Sequence, residues 1–351
     1  MSQTEPDGSA IGPDDAAEAP GRPVTISYIA ETAGVSVPTV SKVINGRTGV
    51  ASDTRARVEA LISRYGYRRP TSSTRSNLVE LVFDQLEHMW GVEVVRGVEQ
   101  VARAHRVGVV LTEFGPERGG VRYWIDDTLA RRPDCVVSVA QLSGEQRDQL
   151  RARGIPFVVF DPTSELPDDV PFVGATNWAG GRSATGHLLR LGHRRIAMIS
   201  GRDRILCCRA RLDGYRAMME AAHLPVDADL VARADLTVDG GRAAALRLLG
   251  RPDRPTAIFA GNDLQAVGVY RAARERGLRI PADLSVVGFD DLPIAELLDP
   301  PLTTVRQPLA EMAVAATELA LALGRGEPTQ RTGLELATSL TVRDSTAPPA
   351  G

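Results

Sequence analysis

Four of the apolar runs in this 351-residue chain end in acids or amides: Asp84, Asp161, Asn262 with Asp263, and Asp290 with Asp291. A fifth stretch carries an arginine pair, Arg209 and Arg211. Carboxylates and amides accept from and donate to hydroxyls, and arginine forks two such groups, so together these residues suit a polyol ligand. Each acid or amide taken alone is equally suited to capping a following helix. A second set lies near the start of the chain, where Thr39, Ser41, Lys42 and Asn45 leave small, hydroxylated or basic side chains outside a short apolar stripe. Such side chains reach phosphates and base edges. Covalent chemistry has no matching set. The chain lacks GxSxG, a P-loop and a glycine-rich dinucleotide fingerprint, and its histidines at 88, 105, 187, 193 and 223 are scattered. Cys135, Cys207 and Cys208 fit no zinc spacing. The expectation is therefore a protein with no metal, no cofactor and no catalytic role. Cys207 and Cys208, just before the arginine pair, suit either thiol sensing or plain packing.

The first set needs strands to carry it. LVELVF, VGVVLT, CVVSVA, FVVFD, RIAMIS, AIFAGND and LSVVGFDD are short and rich in β-branched residues, as parallel strands buried on both faces are. Helical stretches at 92–105, 181–191 and 264–277 lie between them, giving a doubly wound α/β pattern long enough for two lobes. In such sheets ligands sit beyond the carboxyl ends of strands, which is where the acids fall. The second set needs two helices. Thr25 can cap a helix from Ile26 to about Ala33, with Ile26, Ile29, Ala30 and Ala33 on one face and Gly34 ending it. Ser36 can cap the next, Pro38 fits its first turn, and Val40, Val43 and Ile44 form its buried side. A third helix follows from about Ser52 to Tyr65. This predicts a small all-α helix-turn-helix headpiece joined to the α/β two-lobed domain.

Charge supports that division. Residues 22–75 hold nine basic and three acidic side chains, a net +6 in a chain whose total is −3, which leaves −9 for the remainder. A basic module on an acidic body suits contact with a polyanion. Residues 1–22 are acidic and rich in Pro, Gly and Ala and read as a disordered tail, without the basic start and apolar core of a secretion signal. No run is long and apolar enough to cross a membrane. With so few cysteines, a reducing, cytoplasmic setting is expected. The headpiece is placed at 23–69, a Pro/Ser/Thr/Arg linker at 70–78 and the two-lobed domain at 79–351.

AxxAGVSxxTVSxVxN from Ala30 to Asn45, TRxxV at Thr54–Val58 and GY at Gly66–Tyr67 resemble the headpiece of the lactose-repressor (LacI/GalR) family of transcription regulators. LGHRRIAMISG (Leu191–Gly201), RARLDGY (Arg209–Tyr215), AGNDLQAVGV (Ala260–Val269), VVGFDD (Val286–Asp291) and PPLTTVRQP (Pro300–Pro308) resemble that family's effector core, which has the fold of periplasmic sugar-binding proteins. The resemblance implies that Val37, Pro38 and Lys42 read base edges in double-stranded operator DNA. Val37 and Pro38 offer only apolar contact, so Lys42 is the chief polar reader. Thr39, Ser41, Asn45 and Thr54 match phosphate-holding positions, and Thr25, Arg68 and Arg69 complete the DNA-facing set. Asp161, Arg211, Asn262 and Asp290 match effector positions, to which the strand-end and loop positions add Asp84, Trp90 and Arg209. The family's Asp-Asn is Thr176-Asn177 here.

The resemblance also implies a homodimer on a near-palindromic operator, controlled by a small effector, most simply a sugar. The C-terminal residues carry no leucine heptad of the kind that makes tetramers. The hinge departs from the family: no leucine precedes Leu78 to wedge into a minor groove, so leucine-driven kinking is not expected. Of the competing classes, a sugar-binding transport protein is opposed by the missing signal peptide and the basic headpiece, and a Rossmann-like enzyme by the missing fingerprint. Lobe closure coupled to DNA affinity is the expected mechanism.

Overall fold

The computed structural model describes residues 25–44, 49–65, 76–86, 89–113, 121–327 and 332–350. The chain divides into two compact units, 1–74 and 75–351.

In the first unit, α1 (Ile26–Ala33), α2 (Val37–Ile44) and α3 (Ser52–Arg64) share one core. The Thr25 hydroxyl accepts from Tyr28 N at 3.2 Å, a cap worth about 1 kcal/mol. Gly34 adopts φ 63°, a left-handed turn that glycine takes without a steric penalty, and its N–H closes onto the end of α1. Ser36 accepts from Thr39 N at 3.4 Å and so opens α2, with Pro38 in its first turn. Ile29, Ala30, Ala33, Val40, Val43 and Val58 are buried together. Ala30 is small enough to let the helices approach. Tyr28 meets the edge of Tyr65 at 5.5 Å.

The second unit holds two six-stranded sheets. Lobe 1 is all parallel, built from β1 (Leu78–Phe83), β2 (Gly108–Glu113), β3 (Cys135–Ser138), β4 (Phe157–Phe160), β5 (Phe172–Ala175) and β11 (Gly333–Leu336), in the order β11-β5-β4-β3-β1-β2. Helices α4 (Met89–His105) and α12 (Leu309–Gly324) cover one face. The other face packs against α5 (Val121–Arg131) and α6 (Gly144–Ala152), whose Ser143 and Gln146 form a reciprocal capping box.

Lobe 2 is built from β6 (Ile196–Ser200), β7 (Val231–Arg233), β8 (Ala257–Ala260), β9 (Ser285–Asp290), β10 (Thr303–Arg306) and β12 (Ser339–Thr341), in the order β12-β10-β9-β8-β6-β7. β12 alone runs antiparallel. Helices α7 (Asn177–Arg190) and α8 (Leu206–Ala221) cover one face, α9 (Val238–Leu249) and α10 (Asp263–Glu275) the other. A short α11 (Ile294–Leu297) follows β9. The central strands are buried on both faces, as their unbroken apolar runs predict.

Three chain segments cross between the lobes: 176, 307–308 and 337–338. Two of them are tied together, since Thr338 N donates to Thr176 Oγ1 at 3.0 Å and Thr338 Oγ1 to Thr176 O at 3.2 Å. Strands β5, β7, β10, β11 and β12 lie outside the seven apolar runs because they are only three or four residues long, and all but β5 mix polar with apolar residues.

Candidate DNA-binding and effector sites

On the headpiece, Val37, Pro38 and Lys42 are exposed and Thr39, Ser41 and Thr54 half-buried. Lys42 forms no ion pair with a described residue, so its ammonium is available to an outside acceptor. Thr39 Oγ1 shares a hydrogen bond with Ser36 Oγ at 2.8 Å, and the Thr25 hydroxyl is engaged as the α1 cap. Both can reach phosphates only around those bonds. Asn45, Arg68, Arg69 and most of the 70–78 linker lie outside the described residues.

In the second unit, the polar centre is Arg211 on α8. Close packing puts it there: a Cβ on Gly181 of α7 would lie 2.2 Å from Arg211 O, and one on Gly214 of α8 2.2 Å from Trp178 O. Only glycines let the two helices approach so closely. Arg211 is 3% exposed. Its Nε donates to Asn177 Oδ1 at 2.8 Å, Nη1 to Gly261 O at 2.7 Å and Nη2 to Gln307 Oε1 at 3.0 Å. Its guanidinium lies 3.7 Å from the Phe289 ring centroid, and Nη2 is 3.6 Å from Asp290 Oδ1. Gln307 Nε2 donates in turn to Asp161 Oδ2 at 3.4 Å.

This knot stands between two cavities. One, of about 720 Å³, is lined by Asp161, Asn177, Trp178, Leu206 and Cys207 among others. The second, of about 300 Å³, is lined by Asp290, Gln307, Glu93 and Glu311 among others. Both acids of the knot end a strand in positive-φ backbone, Asp161 at 46° and Asp290 at 110°. Non-glycine residues rarely hold such angles, and those that do cluster at ligand sites. Burial pushes the Asp161 carboxyl above its ordinary range, against the pull of Arg211, Gln307 and Asn177. Burial likewise pushes Asp290 up to about 7, opposed by Arg211 and aided by Asp161 and Cys208. Asp290 Oδ1 is buried without a hydrogen-bond partner. A hydroxyl donor offered there would satisfy it.

Asp161, Arg211 and Asp290 thus come together; other candidates do not join them. Asn262 caps α10, accepting from Gln265 N at 2.9 Å and donating to Leu236 O at 3.2 Å, so both ends of its amide are engaged. Asp263 is fully buried, holding Leu292 N at 2.8 Å and Thr304 Oγ1 at 2.6 Å. Trp90 packs edge-on against Phe160 at 5.6 Å within the lobe 1 core. Asp84 is exposed at the end of β1. Arg209 parts from Arg211: it is exposed and bridges the lobes, donating to Glu165 Oε1 at 3.0 Å. Earlier in the same helix, Leu206 N donates to Thr163 O at 2.9 Å, also across the lobes. His193 Nε2 bonds to the Ala347 carbonyl at 2.9 Å.

Sequence reasoning missed Gln307 and gave Asn177 no role. The signal for Gln307 was available, since it directly follows β10 and so holds the same strand-end position as the acids. Cys207 and Cys208 open α8 beside Arg211, and a hydrogen bond from the Cys207 thiol draws Cys208 down to about 7. That same bond pushes Cys207 well up.

The match to bacterial regulatory proteins of the lacI family spans residues 25–70, and that to a periplasmic binding protein-like domain spans 185–346. The transcriptional regulator MalR of Streptomyces coelicolor is 35% identical over 93% of this chain and 97% of its own. The chain belongs to the lacI family. Among solved structures, this lacI-family regulator is similar to the CelR–cellobiose complex (TM-score 0.71, 34% identity, 92% of this chain and 100% of that one). It also matches the lac repressor dimer bound to operator and an anti-inducer (TM-score 0.68, 27% identity, 93% and 100%). The headpiece and the two-lobed domain are accordingly those of a DNA-binding transcriptional regulator. No described helix is long and apolar enough to cross a membrane.

Proposed function

We propose that this regulator binds operator DNA as a homodimer and is controlled by a saccharide held at the lobe junction. The observation that carries the effector reading is the Arg211 knot: a buried guanidinium and two strand-end carboxylates, one with an oxygen that accepts no hydrogen bond, between two cavities. Sugar hydroxyls both donate and accept, which suits Asp161 and Asp290 as acceptors and Asn177 and Gln307 as either. The cellobiose bound by CelR supports the class of ligand. Asp84, Trp90, Arg209 and Asn262 are assigned supporting roles around the junction rather than direct contact.

For DNA, Lys42 reads a base edge, Val37 and Pro38 make apolar contacts, and Thr25, Thr39, Ser41, Asn45, Thr54, Arg68 and Arg69 hold phosphates. Effector binding shifts operator affinity through its differential affinity for two lobe arrangements. Regulation of transcription, without catalysis, is the finer reading, and a cytoplasmic setting follows from it. The 1–22 tail, 23–69 headpiece, 70–78 linker and 79–351 body remain the proposed division.

Calorimetric titration with a panel of monosaccharides and disaccharides tests the pocket. One sugar should bind, and Gln307→Ala or Asp161→Asn should weaken it by about 1–3 kcal/mol, the cost of a lost buried hydrogen bond. A sugar that binds both variants at wild-type affinity would place the site elsewhere.

A further inference from the structure

We propose that Cys207 and Cys208 form a dithiol site for thiophilic trivalent metalloids, with an organoarsenical as the model ligand, and that capture there shifts lobe closure. The two thiols are adjacent in the first turn of α8. Cys207 lines the larger cavity, so its sulfur can be approached from there. Cys208 lies behind it, 2% exposed, its sulfur so near Gly201 that a Cβ on that glycine would stand 2.3 Å away. Neither is in a disulfide. The positive Arg211 guanidinium, one turn further along the helix, pulls both sulfurs toward thiolate; the neighbouring Cys207 thiol is what draws Cys208 down, while Cys207 itself is held as the thiol by Cys208 and by burial.

The chemistry balances without an oxidant. When an arsenoxide meets the pair, two As–S bonds form and the As–O double bond breaks. The two thiol protons leave with the oxide as water, and arsenic stays trivalent. A disulfide between adjacent residues would instead require an oxidant and would strain the planar peptide between them.

Coupling to lobe closure follows from position and rests on the reading of the junction given above. The Leu206–Thr163 hydrogen bond and the Arg209–Glu165 ion pair join the lobes on either side of the thiols in sequence. Pro162 and Ser164 line the same cavity as Cys207. An organic group held on arsenic in that space competes with those contacts.

The test uses the full chain and phenylarsine oxide, read by intact mass and by thiol titration in denaturant. One arsenic should bind per chain, and the thiol count should fall from three to one. A small dithiol should reverse the adduct where a monothiol does not. Cys207→Ser and Cys208→Ala should each abolish chelation, while Cys135→Ser should keep it. No adduct, or one that survives in Cys207→Ser, overturns the site. Operator affinity of the loaded protein should change by about 5- to 150-fold, the usual range of coupling. An unchanged affinity with arsenic bound overturns the coupling. The mass measurement stands whether or not a sugar is the natural effector.

Discussion

Replacing Asp290 with asparagine should make the effector domain more stable as pH rises, relative to wild type. Asp290 is 5% exposed, and burial, with Asp161 and Cys208 nearby, lifts its carboxyl from 3.8 to about 7 despite Arg211. A carboxyl raised on folding binds protons more tightly folded than unfolded between those two values. Wild type therefore loses stability as pH climbs through that window, and the loss is complete above it. At about 1.36 kcal/mol per unit, the cost of keeping Asp290 grows by about 3 kcal/mol from pH 5 to pH 8. The substituted amide carries no such cost and keeps an oxygen for Arg211. Urea unfolding of both proteins at pH 5, 6, 7 and 8 should show the variant gaining on wild type by that margin. A difference that is flat across this range would refute burial as the force acting on Asp290. The same variant should bind sugar less well, separating stability from function, as is common where a site stores unfavourable electrostatics.

His193→Gln tests the opposite sign. Burial lowers His193, and also His187, from 6.5, so the folded state prefers the neutral ring and wild type loses stability as pH falls below 6.5. The variant should lose less between pH 7.5 and pH 5; an equal slope in both proteins would show that His193 does not titrate with unfolding. Lys42→Ala should flatten base preference at one operator position by about 1–3 kcal/mol, measured by titrating operators with single base-pair changes. An unaltered preference profile would move the reader elsewhere. Arg209→Ala removes an exposed pair to Glu165, so stability should change by no more than about 1 kcal/mol while sugar affinity shifts with lobe closure. A much larger loss of stability would mean the bridge supports the fold itself.

The headpiece was legible because its determinants are local. Thr25, Gly34 and Ser36 each act within four residues, and Ile29, Val40 and Val58 announce their faces by spacing. The central strands of both lobes were legible for a similar reason. What the sequence hid depends on contacts far apart in the chain. Arg211 meets Asn177, Gly261 and Gln307, each on a different element, and no spacing rule joins them. Arg209 and Arg211 are two residues apart, yet they point to different neighbourhoods because a helix turns about 100° per residue. Asn262 illustrates the reverse error. A strand-end amide is equally good at holding a hydroxyl or a helix start, and here the helix start takes its oxygen while the carbonyl of Leu236 takes its N–H.

The way the chain weaves between lobes sets a timetable for its synthesis. Lobe 1 begins at Leu78, but α12 contributes Met312, Ala313, Ala316 and Ala320 to its core, and β11 completes its sheet against β5. The nascent chain must therefore emerge past Leu336 before the first lobe can close. The core of the headpiece, among the described residues, is complete by Tyr65. For most of translation the molecule carries a complete DNA reader on a body whose apolar strands await partners. Such intermediates are the ones that aggregate, so the body, not the reader, sets the demand on chaperones.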